Sequence, residues 1–545
     1  MHLFSYIFAF ILISISIIGY GYIFNKYTLK IDKINIGYLG LIGIFFLTFL
    51  AYLFNIFIPL SDKFNFFLHL LGVIFFSIFF IKNFSPNKNH FKFFGLFLII
   101  CLFFIFTAKT HDDFEYYHFA YIHLLNFENT QIGIGQFNNG FRVPSSIFYF
   151  SSLFYLPYLK HDIIHLGPIF FTLFINVIFL IKIIDYKDNK NLRFLVYLSL
   201  IGLIISNIFF YRLGEHGTDR SAQILVILLF IEVLYIVNLN KENYKFILPK
   251  IIIIITLIAS LKAFYLIYIF VLIPILIYQK EKLLFIKNIF ILKSTYFSIA
   301  FFFIVLLTYF VNSGCFIYPL GLSCFNVLWA IPINEVNDWN NYYQLWSKAG
   351  ATPNFKVSNP EEYIKYFNWL PNWINIYFFN KVSDYLLSIL FISIIFFFYF
   401  FSKYKIKVKK VKYRLIYIFL VFLFIEWFFY HPALRYGGFH LIALITFIPI
   451  SLYLQNYDFD KKIFFKKLLI IFSIILLISV GRNINRVIKE TDIYNYNVFA
   501  NPSYNRNFQN FKIYGQIKEV INCKSNCSNN PIKSKKIFGR NIFYR

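Results

Sequence analysis

Long apolar runs separated by short polar stretches fill most of the chain. Most runs are about 17 to 22 residues, enough for a helix rising about 1.5 Å per residue to cross a hydrocarbon core of about 30 Å. They predict an all-α, polytopic transmembrane helix bundle of roughly 14 spans, several short enough to be tilted, broken or re-entrant. The first run, Leu3 to about Phe24, is too long for a signal-peptide core and no small-residue cleavage site follows it. It is expected to stay as a membrane helix. No fixed-period repeat and no low-complexity linker interrupts the pattern.

Lysines recur between the runs, at Lys26 to Lys33, Lys82 to Lys92, Lys182 to Arg193, Lys241 to Lys250, Lys280 to Lys293, Lys403 to Arg414 and Lys461 to Lys467. The positive-inside rule assigns these loops to the cytoplasm. The stretches 109–145, 211–221, 312–382, 430–438 and the tail from 481 then face outward. The expected organisation is N-terminal membrane helices over 1–92, a membrane core with outer loops and short interfacial helices over 93–480, and an extracytoplasmic tail over 481–545.

Composition agrees with a membrane-embedded chain: 59% of the 545 residues are hydrophobic, 14% are charged and the mean hydropathy is +0.65, more apolar surface than a soluble fold of this length buries. The formal charge of +27 would suggest nucleic acid in a soluble protein. Here the cations sit in the topology-setting loops, and no nucleic-acid partner is expected. Phe (78), Tyr (42), Ile and Lys are abundant in the manner of AT-rich coding, so a single Phe or Lys carries little weight. Of five cysteines, Cys101 lies in an apolar run, while Cys315 with Cys324 and Cys523 with Cys527 form close pairs in outer stretches. Both pairs are candidate disulfides.

The apolar run Ile251 to Tyr278 is flanked by lysine loops at both ends, so it should enter and leave on the same side as two half-length helices. Its crest would be Ser260-Leu261-Lys262, with Lys262 in a protein-lined cavity or at a thinned outer surface, because an ammonium facing lipid is costly. Glu232 and Glu426, inside apolar runs, should face the protein interior and either bind a lysine or mark a translocation path. His69 and His440 read as satisfied structural groups.

Motifs of soluble cofactor enzymes (GxxxxGK, HExxH, GxSxG) are absent. The glycines at Gly133, Gly135 and Gly140 have the wrong spacing for a dinucleotide loop. An enzyme built this way needs a donor that reaches it through the membrane, and a lipid-linked donor fits.

The few acids and arginines concentrate in the outer loops. The segment Thr110-His111-Asp112-Asp113-Phe114-Glu115-Tyr116-Tyr117-His118 follows a membrane run directly. Thr110 or Asp112 is placed to cap a short amphipathic helix with Phe114, Tyr117, Tyr121 and Leu125 on the membrane interface. Asp112 and Asp113 either only cap that helix or deprotonate an acceptor hydroxyl beside a lipid-bound leaving group. In the loop Tyr211 to Arg220, Arg212 and Arg220 lie with Glu215, His216 and Asp219. These arginines either pair internally or bind phosphate in planar, bidentate fashion. Arg142 and Arg435 follow the same logic. Five of six tryptophans fall in the 312–382 loop. Trp369 and Trp373 read as an interfacial aromatic belt, whereas Trp339 and Trp346 are equally placed to stack on a sugar.

Asp112-Asp113 with its interfacial helix, and secondarily the Glu215 to Arg220 loop, resemble the GT-C glycosyltransferases, polytopic enzymes that use polyprenyl-phosphate sugar donors. His111 to His118 with Arg212 to Arg220 also looks like a family of bacterial polytopic proteins associated with surface polysaccharides. The likeness covers about 93–455. It implies a bacterial inner-membrane glycosyltransferase with its site on the periplasmic face, acting on a glycan or lipid acceptor by inverting displacement. Asp113 or Asp112 would be the base, with a divalent cation as an optional partner. Arg220, Arg212 and Lys262 would neutralise the departing phosphate. One departure is that GT-C members usually carry the acidic motif after their first helix, whereas here about three extra crossings precede it.

Two other readings compete. An O-antigen polymerase or ligase would rely on outer-loop arginines rather than on Asp112 and Asp113. A lipid-glycan flippase would use Lys262, Glu232 and Glu426 to line a path through the bilayer.

Overall fold

The computed structural model describes all residues except 1, 33, 85–87, 108, 112, 216–217, 239–243, 353–354, 496, 498–511, 523–530 and 538. The chain folds as a helix bundle, with one two-stranded antiparallel hairpin near its end, Lys533–Ile537 paired with Arg540–Tyr544. Among the described residues, nine helices are long and apolar enough to cross a membrane, so the chain is a multi-pass membrane protein. Three further apolar helices, Phe246–Leu261, Ala263–Tyr278 and Gly438–Leu454, are shorter. The nine therefore fall below the roughly 14 expected, because several of the expected spans are short or broken.

Local chemistry sets the helix ends. Asn35 accepts from the Tyr38 N–H at 3.0 Å and Ser61 from the Phe64 N–H at 3.4 Å, which caps Ile36–Asn55 and Asp62–Asn83. Gly314, with φ 80°, closes Lys293–Ser313 in the left-handed conformation. The first three helices pack backbone to backbone. A Cβ at Gly43 would lie 1.9 Å from the Ile17 carbonyl oxygen, and one at Gly19 would lie 2.0 Å from that of Gly72.

The most enclosed part of the bundle is Gly167–Tyr186, Arg193–Ile204 and Asp219–Asn238, whose apolar side chains are almost all buried. Charged and polar groups inside the bundle find partners at several points, although Tyr197 Oη and Ser199 Oγ have none among the described residues. Glu232 is buried, takes the Lys182 ammonium at 2.5 Å and accepts from the Tyr38 hydroxyl, so it faces the interior and binds a lysine. Glu426 is half-buried. His69 contacts Ser16 Oγ and the Leu153 carbonyl, each at 3.1 Å. His440 Nε2 meets the Tyr268 hydroxyl at 2.5 Å.

The run 251–278 breaks where its flanking lysines require. The helix Tyr244–Leu261 stops, Lys262 is extended (φ −161°, ψ 131°), and a tight 3-10 helix Ala263–Val271 leads into Leu272–Tyr278.

Several expectations need correction. Phe114, Tyr121 and Leu125 are buried against the bundle instead of lying on a membrane interface, since Phe119–Phe127 packs on Ser146–Ser152. Trp369 and Trp373 are buried too, with indole N–H groups donating to the carbonyls of Tyr366 (2.8 Å) and Pro432 (3.1 Å), so neither forms a lipid-facing belt. The expected boundaries at 92/93 and 480/481 both fall inside helices, Lys88–Cys101 and Lys461–Tyr494. The N-terminal helices are part of the same core, and Tyr38 reaches Glu232 across it.

One disulfide, Cys315 to Cys324, ties the start of the 312–382 loop. Cys523 and Cys527 lie outside the described residues, and Cys101 is free and buried.

Candidate functional site

Two straps meet at one end of the bundle. The first leaves the tight turn Leu102–Phe104 and runs to Asp113, where the chain winds into the wide π-turn Phe114–His118 and then Phe119–Phe127. The second leaves a π-turn, Ile205–Phe209, and passes Leu213–Glu215 to reach Asp219, the first residue of Asp219–Asn238. Such wide turns re-aim side chains that a regular helix would bury. The straps are joined by the His111 N–H, which donates to the Glu215 carbonyl at 2.8 Å. The His111 side chain bonds the residue at the head of the π-turn, while Asp112, one of the two expected caps, lies outside the described residues. His111 Nδ1 accepts the Asp113 N–H at 3.1 Å and lies 3.4 Å from the Asp113 carboxylate.

Asp219 is the hub. One carboxylate oxygen takes the Lys262 ammonium and the other lies 3.1 Å from Arg435 Nε. Lys262 arrives from the break between half-helices. Arg435 sits on the short turn Leu434–Tyr436, which Gly437 (φ 146°) joins to Gly438–Leu454. The Arg435 carbonyl accepts from Gln223 Nε2 at 2.6 Å. The far side of the Arg435 guanidinium lies 3.6 Å from the Asp113 carboxylate. Asp113, Asp219, Lys262 and Arg435, from four distant segments, therefore form one chain of charges.

Aromatic rings wall this chain. The Arg435 guanidinium stands 5.2 Å from the Trp346 ring and 5.5 Å from that of Tyr436, and the Lys262 ammonium is 4.7 Å from Tyr436. Trp346 belongs to Ile333–Lys348, the helix that also carries Trp339, Tyr342 and Tyr343. Trp339 packs on Tyr342 and Tyr343, away from Arg435, and joins the small cluster around Cys315, Tyr318, Ile331 and Val336.

The remaining expected residues are nearby but occupied. Arg212 pairs with Glu215 in its own loop, and Arg220 lies 6.0 Å from the Phe210 ring. Glu115 is half-buried within the π-turn. His118 is buried, stacked over His111 with ring centroids 6.3 Å apart, and neither ring nitrogen has a hydrogen-bond partner. Arg142 is not part of the charge chain. It is buried, pairs with Glu335 and donates to Tyr318 Oη at 2.7 Å and to the Gly135 carbonyl at 3.1 Å, which fastens two loops together. Asp112 and His216 lie outside the described residues. Among the described residues, no three His, Cys, Asp or Glu side chains are grouped to hold a metal ion.

The electrostatics follow from burial and pairing. Burial alone would weaken the charged form of Arg435, yet Asp219, Tyr436 and Asp113 outweigh it and hold its pKa above the ordinary value. Burial raises the Glu215 carboxyl against the pull of Arg212. Burial, with His111 adjacent, holds the His118 imidazole well below its usual range. Asp113 keeps a third of its side chain exposed, against a tenth for Asp219. The accessible carboxylate is therefore Asp113, and the enclosed one orients two cations. The 3.6 Å contact of Arg435 with Asp113 is the loosest link in the chain of charges.

Tyr436 and Gln223, which touch Lys262 and the strap of Arg435, carry no mark in the sequence. Tyr436 adjoins a flagged arginine, but among 42 tyrosines adjacency is no signal. No curated protein and no solved structure matches the chain. Residues 3–442 match the family model described as Domain of unknown function (DUF8201), and the chain belongs to that family.

Proposed function

We propose that the protein is a membrane glycosyltransferase that moves a sugar from a polyprenyl-phosphate-linked donor to a cell-surface glycan or lipid acceptor. In this reading the nine long helices and the shorter and broken ones make about 14 crossings of a bacterial inner membrane. The site then lies on the extracytoplasmic face, away from the lysine-rich loops. The observation that carries the reading is the convergence of Asp113, Asp219, Lys262 and Arg435.

Asp113 accepts the proton of the acceptor hydroxyl. The freed oxygen attacks the anomeric carbon, the bond from that carbon to the phosphate oxygen breaks, and the electron pair leaves with the phosphate, inverting the centre. Arg435 and Lys262, oriented by Asp219, stabilise the negative charge that develops on the phosphate. Arg212 and Arg220, next to the site but turned to Glu215 and Phe210, add positive potential at longer range. Trp346 and Tyr436 offer flat faces to the sugar.

An apolar groove of about 310 Å³ supports a lipid-linked substrate. It is lined only by apolar and aromatic residues, including Trp373, Phe378, Phe424 and Trp427. The N–H groups of Trp373 and Trp427 bind the carbonyls of Pro432 and Ala433 at 3.1 and 2.9 Å, on the strap that delivers Arg435. An isoprenoid chain in this groove would bring its phosphate toward Arg435.

The test is turnover in proteoliposomes supplied with polyprenyl-phosphate sugars and an acceptor, read as release of polyprenyl phosphate. The reading expects turnover that Asp113→Asn abolishes. Turnover that survives Asp113→Asn but not Arg435→Ala favours a polymerase or ligase. Net translocation without turnover favours a flippase.

A further inference from the structure

We propose that the stretch of the last long helix from Arg482 to Glu490 is a splint that sets the geometry of the site, with Arg486 and Arg482 as positioning residues. The helix Lys461–Tyr494 has 34 residues, or about 51 Å at about 1.5 Å per residue, against about 30 Å of hydrocarbon. It therefore has turns to spare beyond a membrane crossing. In those turns, where an overhanging helix would be solvated, Asn483, Arg486 and Glu490 are instead buried.

Arg486 reaches the strap that leads to Asp113. Its two terminal nitrogens donate to the carbonyls of Phe103 (2.8 Å) and Phe106 (2.9 Å), and one also reaches Thr107 Oγ1 at 3.4 Å. Both oxygens of Glu490 hold the same guanidinium at 3.2 Å, and Glu490 accepts the Lys109 N–H at 3.5 Å. Phe103 lies in the tight turn that ends Lys88–Cys101 and Phe106 just beyond its cap residue Ile105, where the departing chain has carbonyls to satisfy. A guanidinium satisfies them and opposes the negative end of the helix dipole. An ammonium, as a point charge, does not span both.

Arg482, one turn earlier, does the same for the other strap. It donates to the Ile208 carbonyl at 2.7 Å and covers the Tyr211 ring at 4.1 Å, where the helix starting at Arg193 ends. One helix thus closes the ends of both helices whose straps carry Asp113 and Asp219. The family match ends at residue 442, so the splint lies beyond the matched residues.

The splint itself is independent of the reaction proposed above, and only its kinetic consequence rests on that reading. The test compares Arg486→Ala, Arg486→Lys and Arg482→Ala in the full-length protein in nanodiscs, by hydrogen exchange resolved by segment. Arg486→Ala is expected to speed exchange of 103–113 by about tenfold or more while 205–215 is unchanged, and Arg482→Ala to do the reverse. Arg486→Lys should recover only part of the protection. Where wild-type turnover is measurable, Arg486→Ala should lower kcat about tenfold or more with the donor KM within about twofold. Unchanged exchange, or faster exchange spread over the whole bundle, overturns the splint. Segment-specific exchange without wild-type turnover upholds the splint and overturns the glycosyltransferase reading instead.

Discussion

Arg435 Nε lies 3.1 Å from the carboxylate of Asp219, a residue 216 positions earlier in the chain. Asp219 in turn binds Lys262 with its other oxygen, so a single enclosed anion fixes two cations delivered by separate membrane elements. The carboxylate left accessible is Asp113, and the division of labour between the two acids can be tested directly.

Asp113→Asn keeps the size and most contacts of the side chain but removes its basicity. Loss of a general base costs about 10²- to 10⁴-fold in rate, so turnover in proteoliposomes is expected to fall by at least about a hundredfold. The melting temperature in the same detergent should move little, because a third of this side chain is exposed.

Asp219→Asn leaves Lys262 and Arg435 without their shared anion. Breaking a fully buried pair costs about 3–5 kcal/mol. Each cation here is about one-third exposed, at 30% and 33%, and solvent screening reduces the expected loss to about 1–3 kcal/mol. Asp219→Asn with Lys262→Met should recover part of that loss, as measured by thermal and denaturant melts.

His118 ties stability to pH. Burial, with His111 beside it, keeps the folded-state pKa of the imidazole well below the unfolded value of about 6.5. Below that pH the unfolded chain binds the proton and the folded protein does not. Stability is therefore full above about pH 6.5 and falls on acidification, by up to about 1.4 kcal/mol per pH unit from this group. His118→Phe should flatten that part of the pH–stability curve.

Trp346→Ala removes the ring beneath Arg435. A partly desolvated cation–π contact contributes about 0.5–2 kcal/mol, so the donor KM is expected to rise about 2- to 30-fold. Trp346→Phe should produce a smaller rise, and Trp339→Ala little change, because Trp339 packs away from the guanidinium.

The orientation in the membrane is open to labelling. In a Cys523→Ser, Cys527→Ser background, Tyr116→Cys should react with an impermeant maleimide on intact spheroplasts, and Lys405→Cys only after lysis. Both parent residues are exposed. The reverse pattern would place the site where no polyprenyl-linked sugar made for the cell surface is presented.

What the sequence made legible followed from strong, local physics. Apolar run length foretold a helix bundle, and the lysines flanking 251–278 foretold the break at Lys262. The acid-and-arginine clusters stood out because charge is rare in this chain, and the structure brings Asp113, Asp219 and Arg435 from them together with Lys262. Whether a given arginine faces a cavity or a carboxylate is a tertiary matter. Arg142 and Arg435 look alike in sequence, yet Glu335 and Tyr318 consume one while the other faces Asp113 and Trp346. The buried positions of Trp369 and Trp373 were hidden for the same reason. The Trp373 N–H finds the carbonyl of Pro432, and the Trp369 ring packs on Phe428 while its N–H turns back to Tyr366, and no pattern along the chain announces the distant partners.

The last strand reaches back to the first long loop. The Phe543 N–H donates to the Ile132 carbonyl at 2.9 Å, Arg545 bonds the Gln136 carbonyl at 2.9 Å, and a side chain at Gly133 would collide with the Phe543 carbonyl oxygen. During biosynthesis the loop at 131–136 emerges some four hundred residues before the strand that completes it, a contact of very high sequence separation. That loop must wait, unfinished, until every membrane segment has been inserted. A fusion or truncation at the final residues would leave the helices in place and the roof of the molecule open.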